Sequence, residues 1–172
     1  MGELVTGSKL PIFRHCGWWA RDDVSFPKRQ SSAAGNNGTR MHDAFASWVE
    51  QGVLPPLTPA QRMLADQMVK FWGIRRASVG WRTELAFALN PSTRKARILG
   101  KDIGREYVKH GLDPVSEIGL STDYVWAEEK GVPICGDWKT GYASHVEPPE
   151  ENLQLLAGGA ALVLATVGHL GP

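Results

Sequence analysis

The hydrophobic period of this 172-residue chain changes twice, and the order of those periods limits what it can fold into. Met41, Phe45, Trp48 and Val49 recur at helical spacing, which predicts a helix from about Thr39 to Gln51 with Gly52 as its stop. Thr58-Pro59-Ala60-Gln61 opens a second helix with a Thr cap, Pro at the first helical position and Gln three residues after the cap. It should run to about Trp72, before Gly73. Beyond it the period shortens. Ser78 to Leu89 is rich in β-formers and aromatics, Asn90-Pro91-Ser92-Thr93 is a turn signal, and Ala96 to Leu99 can return as a second strand. Leu120 to Trp126 and Val132 to Trp138 form another pair of short runs around the polar Ala127-Glu128-Glu129-Lys130-Gly131. Pro148-Pro149 then precedes an apolar helix from about Glu150 to Val167. Helix, helix, hairpin, hairpin, helix predicts an α/β or α+β chain with a sheet flanked by helices. We read a single domain over 1–172, with 1–37 as an N-terminal extension and loop and 38–167 as the core.

Composition narrows the classes. At 42% hydrophobic and 22% charged, the chain is neither a disordered tail, a collagen-like repeat nor a supercharged nucleic-acid coat. Its two cysteines, Cys16 and Cys135, are too few for a disulfide framework or a four-ligand zinc site, which points to a reducing interior. Met1 to Leu10 carries Glu3 and Lys9 and has no apolar run, unlike a secretory peptide. The apolar stretch from Leu153 to Leu170 contains Gln154, Thr166, three glycines and His169, and reads as a buried helix rather than a membrane span.

The net charge of +1 hides a polarised chain. Residues 70–110 hold 10 basic and 3 acidic groups, whereas residues 111–172 hold 2 basic and 9 acidic groups. A basic middle can face a polyanion and an acidic end can hold cations; alternatively the charges interleave in space and cancel. Arg75, Arg76, Arg82, Arg94, Lys95, Arg97, Lys101, Arg105 and Lys109 make the basic stretch a candidate for tracking a DNA backbone. Trp18-Trp19, beside Arg14, His15 and Arg21, suit either base stacking or a core.

The chemistry concentrates in Gly136-Asp137-Trp138-Lys139-Thr140-Gly141 and in Asp123. Residues two apart on a strand share a face, so Asp137 and Lys139 point the same way. If the hairpin pivots near Lys130, Asp123 lies opposite Asp137, and directly opposed carboxylates about 5 Å apart repel. A divalent cation between them relieves that repulsion, and Mg²⁺ favours carboxylates together with water and phosphate. A nearby lysine can then steady a nucleophilic water or the charge growing on a phosphate. Two acids and a lysine thus suggest metal-assisted phosphodiester hydrolysis, against the plainer reading of a solvated hairpin face. Glu84 lies in the earlier strand and Gln154 on the last helix. His42 flanks the apolar stripe through Phe45 and Val49, from which its ring could reach the sheet.

In this order, Gly38-Thr39-Arg40-Met41-His42, Glu84, Ser121-Thr122-Asp123, Gly136-Asp137-Trp138-Lys139-Thr140-Gly141 and Asn152-Leu153-Gln154-Leu155 resemble the RecB-like exonuclease branch of the PD-(D/E)XK nuclease superfamily. The resemblance implies an α/β restriction-endonuclease-like core, a central mixed sheet flanked by helices, and a Mg²⁺- or Mn²⁺-dependent deoxyribonuclease. Its expected role is exonucleolytic DNA processing in recombination, repair or phage systems, in the cytoplasm of a bacterial or phage-infected cell. It implies that Asp123, Asp137 and the Trp138 backbone carbonyl ligate the metal, that His42 adds a contact, and that Lys139 positions or activates the attacking water. Gln154 would help hold the site or substrate, and Glu84 looks like the family's first-strand acid. The implied partners are single- or double-stranded DNA ends and a helicase or recombination protein, with no membrane.

Three departures accompany the resemblance. The family's Gln-x-x-x-Tyr motif here ends in Gly158 instead of tyrosine. Ser8, Leu10, Phe13 and Cys16 look like the early cysteine region of relatives with an iron–sulfur cluster, but the three late cysteines are absent, so no cluster is expected. The chain given ends at Pro172, where the family core continues into another strand, so the reading is of a core truncated after the Gln helix or of a minimal variant. The alternative function is a catalytically silent nuclease-fold protein that binds DNA or a partner.

Overall fold

A computed structural model describes residues 6, 7, 10, 32–76, 82–127, 133–140, 148 and 150–166. In chain order they form α1 (Ala33–Gln51), α2 (Pro59–Arg76), β1 (Arg82–Asn90), β2 (Lys95–Lys101), a 3₁₀ turn (Tyr107–His110), β3 (Ile118–Ala127), β4 (Pro133–Gly136) and α3 (Leu153–Thr166). The strands hydrogen-bond in the order β2-β1-β3-β4, as an antiparallel sheet. This bears out the α/β class and the order of elements but corrects the mixed sheet. Among the described residues, parallel pairing is confined to one isolated bridge between Thr6 and Gly119. Both hairpins close through connections too short for a parallel crossover. Trp18-Trp19, Cys16 and the pivot near Lys130 lie outside the described residues.

The chain divides into two compact units. One comprises Gln30–Thr83 and Asp123–Val146. Here α1 starts at Ala33, six residues before the expected Thr39, because Ser32 caps it: the Gly35 N–H donates to Ser32 Oγ over 3.1 Å. Gly52, at φ 78°, closes α1 by donating to the Trp48 carbonyl. The cap on α2 is reciprocal, since Thr58 N–H donates to Gln61 Oε1 (3.0 Å) and Gln61 N–H to Thr58 Oγ1 (3.4 Å). Gln61 Nε2 also donates to Asn37 Oδ1 at 2.7 Å, tying the two helices together. The second helix continues through Gly73 to Arg76, since one interior glycine costs only about 1 kcal/mol. Met41, Phe45, Trp48 and Val49 of α1 pack with Ala65 of α2 and with Tyr124 and Trp138.

The other unit comprises Met1–Arg29, Glu84–Thr122 and Glu147–Pro172. Its β1–β2 hairpin turns where Asn90 Oδ1 accepts the Thr93 N–H (2.9 Å), and a register shift between Ala86 and Phe87 places a bulge in the ladder. Ala86, Ala88, Tyr107 and Leu112 form a small core, and the Tyr107 hydroxyl hydrogen-bonds Ser121 Oγ at 2.8 Å. Gly119 lets the Tyr107 ring lie against β3, where a Cβ would meet the ring at 2.8 Å. The last helix packs against β2. It starts at Leu153 rather than Glu150 because Asn152 is its cap, accepting the Leu155 N–H at 3.0 Å. Among the described residues no helix is long and apolar enough to cross a membrane.

Several basic groups of this unit are internally paired. Arg97 contacts Glu117 (2.7 Å), Lys101 contacts Asp102 (3.4 Å) and Lys109 contacts Glu106 (2.5 Å). Arg94, Lys95 and Arg105 are exposed and have no ion pair among the described residues. The segment's positive charge is therefore in part cancelled locally and in part presented to solvent.

Candidate functional site

The hairpin of β3 and β4 sets the site. Tyr124 pairs with Gly136, Val125 with Cys135, Trp126 with Ile134 and Ala127 with Pro133. Continuing that register by one rung sets Asp123 across from Asp137, the pairing expected from the sequence. The strand nevertheless ends at Gly136, two residues short of the expected Trp138. The Trp138 N–H donates not to a strand carbonyl but to Asp123 Oδ2, at 2.5 Å. Asp123 thus replaces the ladder with a charge-assisted hydrogen bond, which fixes both the carboxylate and the backbone that carries Asp137 and Lys139.

On α1, His42 faces this carboxylate, with Nδ1 3.3 Å from Asp123 Oδ2. His42 is 27% exposed and Asp123 14%. Hydrogen bonding to Asp123 raises the His42 pKa above its ordinary 6.5; burial opposes this, while the charge of Asp123, the Trp138 backbone and the charge of Asp137 support it. Asp137, only 10% exposed, has its pKa raised above 3.8, first by burial and then by the neighbouring Asp123 charge, against the lowering effect of Lys139.

Lys139 pairs with Asp137 Oδ2 and remains 42% exposed. Asp137 Oδ2 is buried against the Lys139 ammonium and has no further hydrogen-bond donor among the described residues. A buried carboxylate oxygen in that condition, beside a second carboxylate and an imidazole, is suited to a hard divalent cation. His42 and Asp123 each offer such an ion a ligand atom, and Asp137 neighbours Asp123. Cys135 lies on β4, but burial raises its thiol pKa and leaves it poorly suited to nucleophilic chemistry.

The structure brings His42, Asp123, Asp137, Trp138 and Lys139 together in one unit. Glu84 and Gln154 belong to the other. Glu84 sits on β1 at φ 48°, a left-handed conformation uncommon for glutamate, and its carbonyl accepts the Asp102 N–H at 3.0 Å. Gln154 is half-buried in the first turn of α3.

Sequence reasoning missed the aromatic support of the site. The Trp138 indole stacks on Tyr124 (5.4 Å between centroids, 26°) and meets Phe45 (5.3 Å) and His42 (6.1 Å) edge-on. The signal was present in the register: Tyr124 opposes Gly136, and an aromatic across from a strand glycine folds over it. A Cβ on Gly136 would overlap the Tyr124 ring.

No family model, curated protein or solved structure matches this chain.

Proposed function

We propose that the chain is a divalent-metal-dependent DNA nuclease with a restriction-endonuclease-like core of the RecB-like kind, and that His42, Asp123, Asp137 and Lys139 form its site. The observation that carries this reading is the buried, donor-poor Asp137 carboxylate held against Asp123. The Lys139 ammonium offsets only part of the cost of two acids confined this way, and the placement of acids beside a partly exposed lysine suits metal-assisted phosphodiester hydrolysis. Mg²⁺ or Mn²⁺ bound there would polarise a phosphoryl oxygen and make a bound water more acidic.

The protein's own residues supply the rest. Asp123 is aimed by the Trp138 N–H and faces His42, which keeps its carboxylate in one orientation. Lys139, paired with Asp137 and partly exposed, can turn its ammonium to an attacking water or a phosphate oxygen. Arg94, Lys95 and Arg105 offer exposed charge for phosphate contacts. Gln154 enters this reading by the resemblance alone.

The test is cleavage of single- and double-stranded DNA by purified protein with Mg²⁺ or Mn²⁺, alongside Asp137→Ala and Lys139→Ala. The reading expects metal-dependent cleavage by the wild type and its loss in both variants. Failure of the wild type to cut either substrate with either metal would refute it. One observation favours a second reading, a nuclease-fold protein that binds DNA without cutting: the position of the family's tyrosine is Gly158, buried within α3. Retention of DNA by a wild type that never cuts would support that reading.

A further inference from the structure

We infer that the indole of Trp138 is the positioning residue of this site, acting through its ring contacts to place Asp137 and Lys139 against Asp123 and His42. The inference rests on the metal-site reading above and assigns the side chain a role separate from that of its backbone carbonyl. Asp137, Trp138 and Lys139 lie beyond the last ladder pair, Tyr124 with Gly136, so strand hydrogen bonds do not hold them. The Trp138 N–H to Asp123 is one restraint on this segment. Its ring supplies the others: stacking on Tyr124 of β3, and edge contacts with Phe45 and His42 of α1.

The ring therefore connects the segment to both elements that carry the opposing groups, Asp123 and His42. Buried in the α1 core, Trp138 anchors the residues on either side of it, Asp137 and Lys139. If the indole is replaced by a flexible aliphatic side chain, the carboxylate and the ammonium lose their fixed relation to His42. Gly136 belongs to the same arrangement, since only a residue without Cβ leaves room for Tyr124 to lie under the indole.

The experiment is Mn²⁺ binding, followed by electron paramagnetic resonance, for the wild type, Trp138→Leu, Trp138→Phe, Tyr124→Leu, Met41→Ala and Asp137→Ala. Trp138→Leu should weaken Mn²⁺ binding about 10-fold or more, the range found when groups that orient ligands are removed. Trp138→Phe should retain most of the affinity because it can still stack on Tyr124. Met41→Ala loosens the same core without removing the ring contacts of Trp138 to Tyr124, Phe45 and His42, and should bind as the wild type does.

Should Trp138→Leu fail to fold, Tyr124→Leu decides, with weakened binding expected from a folded protein. The inference is overturned if the folded Trp138→Leu, or Tyr124→Leu in its place, binds Mn²⁺ like the wild type. It is equally overturned if Met41→Ala loses as much affinity as they do. Wild type that binds no Mn²⁺, or Asp137→Ala that binds it undiminished, instead removes the metal-site reading itself.

Discussion

Replacing Asp137 by Asn removes one charge from the opposed pair while keeping nearly the same shape. The register sets Asp137 across from Asp123, where opposed side chains stand about 5 Å apart, and at an effective dielectric of about 20 two charges at that distance repel by about 3 kcal/mol. Lys139 offsets part of this, but its ammonium is 42% exposed, so the offset is about 1 kcal/mol or less. A neutral amide in place of the carboxylate would also lower the cost of a buried oxygen that lacks a further donor. Above neutral pH and without metal, Asp137→Asn should therefore be more stable than wild type by about 1–2 kcal/mol, a rise in Tm of about 2–8 °C by calorimetry for a chain of this length. Mg²⁺ should then reverse the ranking. A ligand at a hundred times its dissociation constant stabilises the wild type by about 2.7 kcal/mol, whereas the variant, having lost a ligand, should gain little. A variant that is less stable than wild type without metal and gains as much from Mg²⁺ would refute the reasoning.

Other consequences are separately measurable. In the metal-free protein, His42 has its folded pKa raised above 6.5, so its stabilising contribution is complete below 6.5 and is lost as pH rises through the raised value. Asp137, raised above 3.8, acts in the same sense from lower pH, so urea unfolding should show stability falling as pH rises, with the part above 6.5 removed by His42→Gln. A rise in stability over that upper window would contradict this. Gly136→Ala should cost about 1–3 kcal/mol by overpacking against Tyr124, and a variant as stable as wild type in urea would count against the stacked arrangement. Asn152→Ala should cost about 1 kcal/mol through loss of the α3 cap, read from the same titration. Arg94→Ala combined with Lys95→Ala should weaken DNA binding and flatten its salt dependence, while unchanged binding would place the phosphate contacts elsewhere.

The parts of the fold legible in the sequence were those governed by local pattern. The apolar stripe of α1, the Thr58–Gln61 capping box and the turn after Asn90 all depend on neighbouring residues, and all form as read. The β3–β4 register was legible because two short apolar runs about a polar turn leave few pairings that bury the same faces. The start of α1 was not, because Gly35, Asn36, Asn37 and Gly38 have turn composition and are helical only once Ser32 caps them and Asn37 accepts from Gln61. The end of β4 depends on a side chain fifteen residues earlier taking the Trp138 N–H, a tertiary choice with no local mark. For the site, the facing of Asp123 and Asp137 followed from register. The indole's role did not, since tryptophan at a half-apolar strand end is equally consistent with ordinary core. The charge split was visible too, but the pairing of Arg97 with Glu117 across the fold was not, so the sequence alone overstated how much positive charge reaches solvent.

The most direct measurement is the anomalous diffraction signal of Mn²⁺ in crystals of the wild-type protein. The account predicts one peak or two adjacent peaks within bonding distance of the Asp123 and Asp137 carboxylates, with His42 beside them and no such peak in Asp137→Ala. Mn²⁺ that binds elsewhere, or carboxylates that remain without metal at saturating Mn²⁺, would contradict it.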